Sequence, residues 1–147
     1  MQNSLIGKKQ YYAATIMTVY NPETEIIHFS ANQKIDIKTS DDLELLNSHF
    51  ISKIKELAQG KRVYFMIDLN KIILEPEIAK SLTICIKEYF IDYLYPNGGC
   101  AYGQSLGRLA LKMSFHQIDD QEEKLFLTKE EAIVYLRFVR DNNRTNK

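Results

Sequence analysis

Val63-Tyr64-Phe65-Met66-Ile67-Asp68-Leu69-Asn70, followed shortly by Glu75-Pro76-Glu77-Ile78, carries the plainest structural signal in the chain. Five residues from Val63 run without a charged break, as a strand buried on both faces of a parallel sheet does. Asp68-Leu69-Asn70 ends that strand. Proline at Pro76 suits the first turn of a helix, where no backbone donor is needed. Continued to Arg140, the pattern reads strand, helix, strand, helix, strand, helix.

Working outward, Tyr11 to Tyr20 is rich in Tyr, Thr, Ile and Val and reads as a strand. Asn21-Pro22-Glu23-Thr24 is a turn, and Glu25 to Ala31 is the returning strand, with Ile27 and Phe29 on one face and Ile26, His28 and Ser30 on the other. Thr39-Ser40-Asp41-Asp42 caps a helix whose stripe is Leu43, Leu46, Phe50, Ile54 and Leu57, closed by Gly60. The next helix is expected from about Pro76 to Tyr95, stopped by Asn97-Gly98-Gly99. A short strand at Cys100–Tyr102, a helix through Leu106 and Met113, and a strand at Leu125–Leu127 follow. Thr128-Lys129-Glu130-Glu131 is a capping box that opens the last helix, with Ala132, Ile133, Leu136 and Val139 on its buried side.

The expected fold class is α/β, in the order ββαβαβαβα, a mixed sheet with helices mainly on one face. Residues 1–10 form a lead-in, 11–141 a single domain and 142–147 a polar tail. The hairpin carries apolar residues on both faces, so the less covered face or the hairpin itself is expected to mediate a homodimer.

Composition narrows the function. Nineteen basic residues balance nineteen acidic ones, a formal net charge of zero, which argues against tight nonspecific nucleic-acid binding. Apolar runs fall far short of the ~20 residues of a membrane span, and Met1 to Gln10 has no apolar signal region. No membrane insertion is expected, and a cytoplasmic location follows by default. Cys85 and Cys100 read as buried thiols. His28, His49 and His116 share no metal-binding spacing, so neither a metal nor any other cofactor is expected.

Three segments stand out together: Met66-Ile67-Asp68-Leu69-Asn70; Tyr102-Gly103-Gln104-Ser105-Leu106-Gly107-Arg108; and Leu125-Phe126-Leu127-Thr128-Lys129-Glu130-Glu131-Ala132-Ile133-Val134-Tyr135-Leu136. In their order and spacing they resemble the STAS superfamily of sulfate transporters and anti-sigma-factor antagonists, and within it the small stand-alone bacterial antagonist-like proteins. The resemblance implies a non-enzymatic protein–protein interaction module in bacterial signalling or regulation, with a protein partner the sequence does not identify. In phosphorylated members of that superfamily a serine near the start of the following helix is the switch. Here Ile72 to Ala79 contains no Ser or Thr, and Glu75 and Glu77 set fixed negative charge in the first turn, a candidate interaction surface.

Gly103-Gln104-Ser105-Leu106-Gly107 also fits the nucleophile-elbow pattern. The only downstream histidine, His116, would lie roughly 16 Å along the same helix at 1.5 Å per residue, so no base reaches Ser105. Hydrolysis is not expected. The same turn is the candidate ligand site: free N–H groups at Gln104 and Ser105, Arg108 one turn in, and Asn70 and Lys71 brought close by the strand ends. The alternative function is therefore a small-molecule domain binding an anion or lipid.

Overall fold

The structure, a computed structural model, describes residues 2–84, 90–104 and 124–145. Helix α1 (Gln2–Thr15) leads into the hairpin β1 (Ile16–Asn21) and β2 (Ile26–Ala31). Then come β3 (Ile35–Ile37), α2 (Ser40–Ala58), β4 (Val63–Asp68), β5 (Ile72–Leu74) and α3 (Pro76–Ile84). β6 (Leu94–Tyr102), β7 (Leu125–Phe126) and α4 (Lys129–Thr145) complete the described elements.

The main sheet has five strands in the order β1-β2-β4-β6-β7. β1 and β2 are antiparallel, and every other neighbour in the sheet is parallel. A small second sheet pairs β3 with β5 in parallel. Ile35, Ile37, Ile72 and Leu74 of that pair all enter the main core, which is why so short a sheet is ordered.

One face of the main sheet presents Ile27, Phe29, Phe65, Ile67 and Ala101 to Leu43, Leu46, Phe50 and Ile54 of α2. Its centre is aromatic: Phe29 lies 4.5 Å from Phe50 and 5.4 Å from Phe65, centroid to centroid. Such tilted pairs satisfy the ring quadrupoles as well as burying area. Tyr12 of α1 and Ile78 and Leu82 of α3 join this same core. The opposite face carries Ile26, Tyr64, Met66, Cys100 and Tyr102, and α4 covers it with Ala132, Leu136 and Val139. The α/β class, the mixed sheet and the preponderance of helices on one face are as expected, with α4 as the exception.

Four differences from the sequence reading have physical causes. Tyr11–Thr15 is the end of α1, not the start of a strand; Tyr12 is buried in that helix, and the preceding lead-in is helical too. The helix expected to reach Tyr95 gives way to β6 from Leu94, and Asn97, Gly98 and Gly99 lie inside that strand. They form an irregularity: Val63 pairs with Leu94, yet Phe65 pairs with Gly99. Asn97 supplies a left-handed φ of 58° there. The β3–β5 pair was not anticipated. Finally, residues 142–145 are the last turns of α4 and are tied down: Asn143 Nδ2 donates to Tyr64 Oη (3.3 Å) and to the Pro96 carbonyl (3.1 Å), and Arg144 pairs with Glu25 at 3.4 Å.

Candidate functional site

Asp68 and Tyr102 are partners in the β4–β6 register, so the carboxyl ends of these two central strands lie side by side. Asp68 Oδ1 accepts from both the backbone N–H and the side-chain Nδ2 of Asn70, each at 2.8 Å. That Asx turn frees Asn70 Oδ1, which accepts from the backbone N–H of Gln104 at 3.0 Å. The Leu69 N–H donates to the Tyr102 carbonyl, and the Gly103 N–H to the Phe126 carbonyl. Gly103 has φ of 144°, and a Cβ there would lie 3.2 Å from both the backbone nitrogen and Oδ1 of Asn70. Glycine is what lets the turn after β6 close onto Asn70.

The expected meeting of Asn70 with the turn at Gln104 is thus present, but as a closed hydrogen-bonded latch. The Gln104 N–H, expected to be free for a ligand, is already satisfied by Asn70. Lys71 turns toward the β2–β3 connection, where Nζ donates to the Asn32 carbonyl at 3.4 Å. Ser105 and Arg108 lie outside the described residues, as do Cys85, His116 and the helix expected at 106–113. Glu75 is exposed and its N–H donates to the Ile37 carbonyl, which carries the β3–β5 pairing up to the mouth of α3. Glu77 is exposed in the first turn of α3. The Ser81 hydroxyl, one turn on, donates back to the Glu77 carbonyl at 3.3 Å.

A cluster missed in the sequence adjoins this latch. His28 Nε2 lies 2.7 Å from Tyr102 Oη and the two rings stack at 5.7 Å, with the Asp68 carboxylate near enough for its charge to act on both. Which of the two donates to the other follows the tautomer of the imidazole. Burial, reinforced by the charge of Lys129, holds His28 below its ordinary 6.5, with Asp68 opposing. Burial, then the charge of Asp68, push the Tyr102 hydroxyl above its ordinary range. Both rings are therefore neutral near pH 7, and the pair braces β2 against β6, across β4, on the face that α4 covers. His28 and Tyr102 are separated by 74 residues in the chain, and only the β2-β4-β6 order brings them together. The one signal in the sequence was a histidine on the mixed side of β2, between Ile26 and Ser30.

Among the described residues no group of His, Cys, Asp and Glu has the clustering a metal ion needs, and no helix is long and apolar enough to cross a membrane. Cys100 is buried, and burial raises its thiol well above the ordinary value, so it is not a reactive thiolate.

No protein-family model matches the chain, and no curated protein matches it either. Among solved structures it is similar to SLC26A9, which has a STAS domain, with a TM-score of 0.63 and 10% sequence identity over 98% of this chain. The chain spans 27% of the length of that protein. At this identity the likeness defines the fold alone, and that fold is STAS-like.

Proposed function

We propose that this chain is a non-enzymatic STAS-like module that binds a protein partner in bacterial signalling or regulation, through the surface formed by the mouth of α3 and the ends of β4 and β6. The observation that carries this reading is the entry to α3. Glu75, just before the helix, and Glu77, in its first turn, stand exposed in a segment, Ile72 to Ala79, that has no hydroxyl to phosphorylate. Fixed carboxylates at a helix N-terminus are favoured by the helix dipole and do not turn off. The partner surface is thus always acidic and fits a basic patch. In this reading the protein works in the cytoplasm and needs no cofactor.

The small-molecule alternative is less well supported by the same geometry. An anion at the turn after β6 would face the Asp68 carboxylate, and the Gln104 N–H is already bonded to Asn70. The deciding experiment compares native-cell pull-downs with the wild-type chain and a Glu75→Lys/Glu77→Lys variant of unchanged circular dichroism. A protein retained by the first and lost from the second supports the reading. Equal retention by both, or a bound small molecule in native mass spectrometry with no protein partner, overturns it.

A further inference from the structure

α1 passes into β1 without a loop: the helix ends at Thr15 and the strand begins at Ile16. That junction is clamped. The Asn32 N–H donates to the Thr15 carbonyl at 3.0 Å, and Asn32 Nδ2 donates to the Ala14 carbonyl at 3.5 Å. The body of the helix is held more lightly. From Gly7 to Thr15 only Tyr12 and Thr15 are buried, whereas α2, against which it lies, buries Leu43, Leu46, Phe50 and Ile54. Two polar contacts add to this: Lys8 Nζ donates to Asp42 Oδ1 at 2.7 Å, and Tyr11 Oη to the Lys34 carbonyl at 2.9 Å. An element with so few buried anchors opens more readily than the molecule as a whole. A helix of 14 residues has little stability of its own and takes its order from the surface beneath it.

That surface has a definite chemistry. Lys8 and Tyr12 stand one turn apart on the same side of α1. Lys8 closes over Asp42, which is left 6% exposed and whose other oxygen accepts the Lys38 N–H at 3.3 Å. Tyr12 is 4% exposed, and burial, with the charge of Asp42 adding to it, pushes its hydroxyl up to about 12. Charge is complementary along the contact: α1 carries Lys8 and Lys9 and no acid, and the first turn of α2 carries Asp41 and Asp42.

We propose that α1 is a displaceable occupant of this surface: it lifts off α2 while the rest of the fold stands, and the vacated site takes a helix of another protein that presents a cation and an aromatic ring at positions i and i+4. The resident helix is the template for that partner. Asp42 supplies the charge, and the slot left by Tyr12 supplies the apolar contact, as in other helix-in-groove recognition. A seated α1 competes with the partner, so the partner's apparent affinity falls in proportion to the fraction of chains in which the strap is open.

The inference does not depend on the surface at the entry to α3, and its test leaves Glu75 and Glu77 untouched. Hydrogen exchange of the wild-type chain should show the amides of α1, corrected for intrinsic rates, exchanging at least tenfold faster than those of α2. The binding probe is a fluorescein-labelled peptide of residues 2–15, followed by anisotropy up to about 1 mM. It should bind a full-length Lys8→Glu/Tyr12→Ala chain, whose own helix is unseated, at least tenfold more tightly than the wild-type chain. Circular dichroism confirms that the variant is folded. A peptide carrying Lys8→Glu should lose that binding, and a full-length Asp42→Lys/Tyr12→Ala chain should prefer it to the parent peptide. Amides of α1 that exchange no faster than those of α2 overturn the proposal. So does a parent peptide that binds both chains alike or neither, or a peptide preference that Asp42→Lys leaves unchanged.

Discussion

Asp42 is buried, with 6% of its side chain exposed, yet it is charged and well partnered. Burial alone would raise its carboxyl. The Lys8 hydrogen bond at 2.7 Å, the backbone N–H of Lys38 and the Lys8 charge outweigh that and hold it below its ordinary 3.8. The sequence marked Asp42 only as an acid near a helix cap. Its main partner sits on α1, which was not recognised as a helix, so the bond could not be foreseen. Lys8→Met should destabilise by about 1.5 kcal/mol, the worth of a hydrogen bond to a charged group, read as a fall in urea midpoint. His28 and His49 shift the other way from a paired histidine: burial lowers both, with Lys129 and Lys53 respectively adding to it. An unfolded histidine takes its proton at about 6.5 and these folded ones do so later. Their contribution is thus complete above that pH and is lost as pH falls below it. Asp42 gives a second, lower window: its contribution is present above 3.8 and is lost as pH falls through its depressed folded value. Stability measured against pH should fall in two stages on acidification. His28→Gln should shrink the first stage, leaving the share of His49, and should not change the second.

β4, α2 and α4 were legible because each carries one dominant period: an unbroken apolar run, a three-and-four stripe, and a capping box. α1 was not, because Tyr11 and Tyr12 lean to strand while Lys8, Lys9, Ala13 and Ala14 favour helix, and burial of Tyr12 against the core decides between them. β6 hid for a different reason. Asn97-Gly98-Gly99 has the composition of a helix stop, but the same tolerance of unusual backbone also suits a strand irregularity. Gly98 is the tight point: a Cβ would fall 2.7 Å from the Tyr95 carbonyl oxygen and 3.1 Å from Tyr64 Cδ1. Backbone cannot yield there as a flexible side chain would. Gly98→Ala should cost about 1–3 kcal/mol, with the denaturant midpoint lowered and the slope unchanged. The candidate ligand turn was legible in place, since Asn70 does meet Gln104. Its chemistry was not, because which N–H groups are already satisfied depends on contacts far apart in sequence.

At the scale of the molecule the sheet is a partition between two cores, formed among the described residues with α1, α2 and α3 on one side and with α4 on the other. The second depends on three anchors from α4: Ala132, Leu136 and Val139. Removing residues 129–147 should leave the first core standing while uncovering Tyr64, Met66 and Cys100. In a Cys85→Ser background, Cys100 should then react rapidly with a thiol reagent, whereas in the full chain it should remain inert. Equal reactivity in the two forms would mean that α4 is not what shields it. The anchors at the far end of α4 are Asn143 and Arg144, which reach Tyr64, Pro96 and Glu25. Chain order gives this a consequence during synthesis. The ribosome delivers the strands before the helix that covers them, so a nascent chain passes through a stage with one oily side of its sheet open. That interval, rather than the finished protein, is when a chaperone should hold it, and ribosome-bound chains stalled before Lys129 should be captured far more readily than released ones.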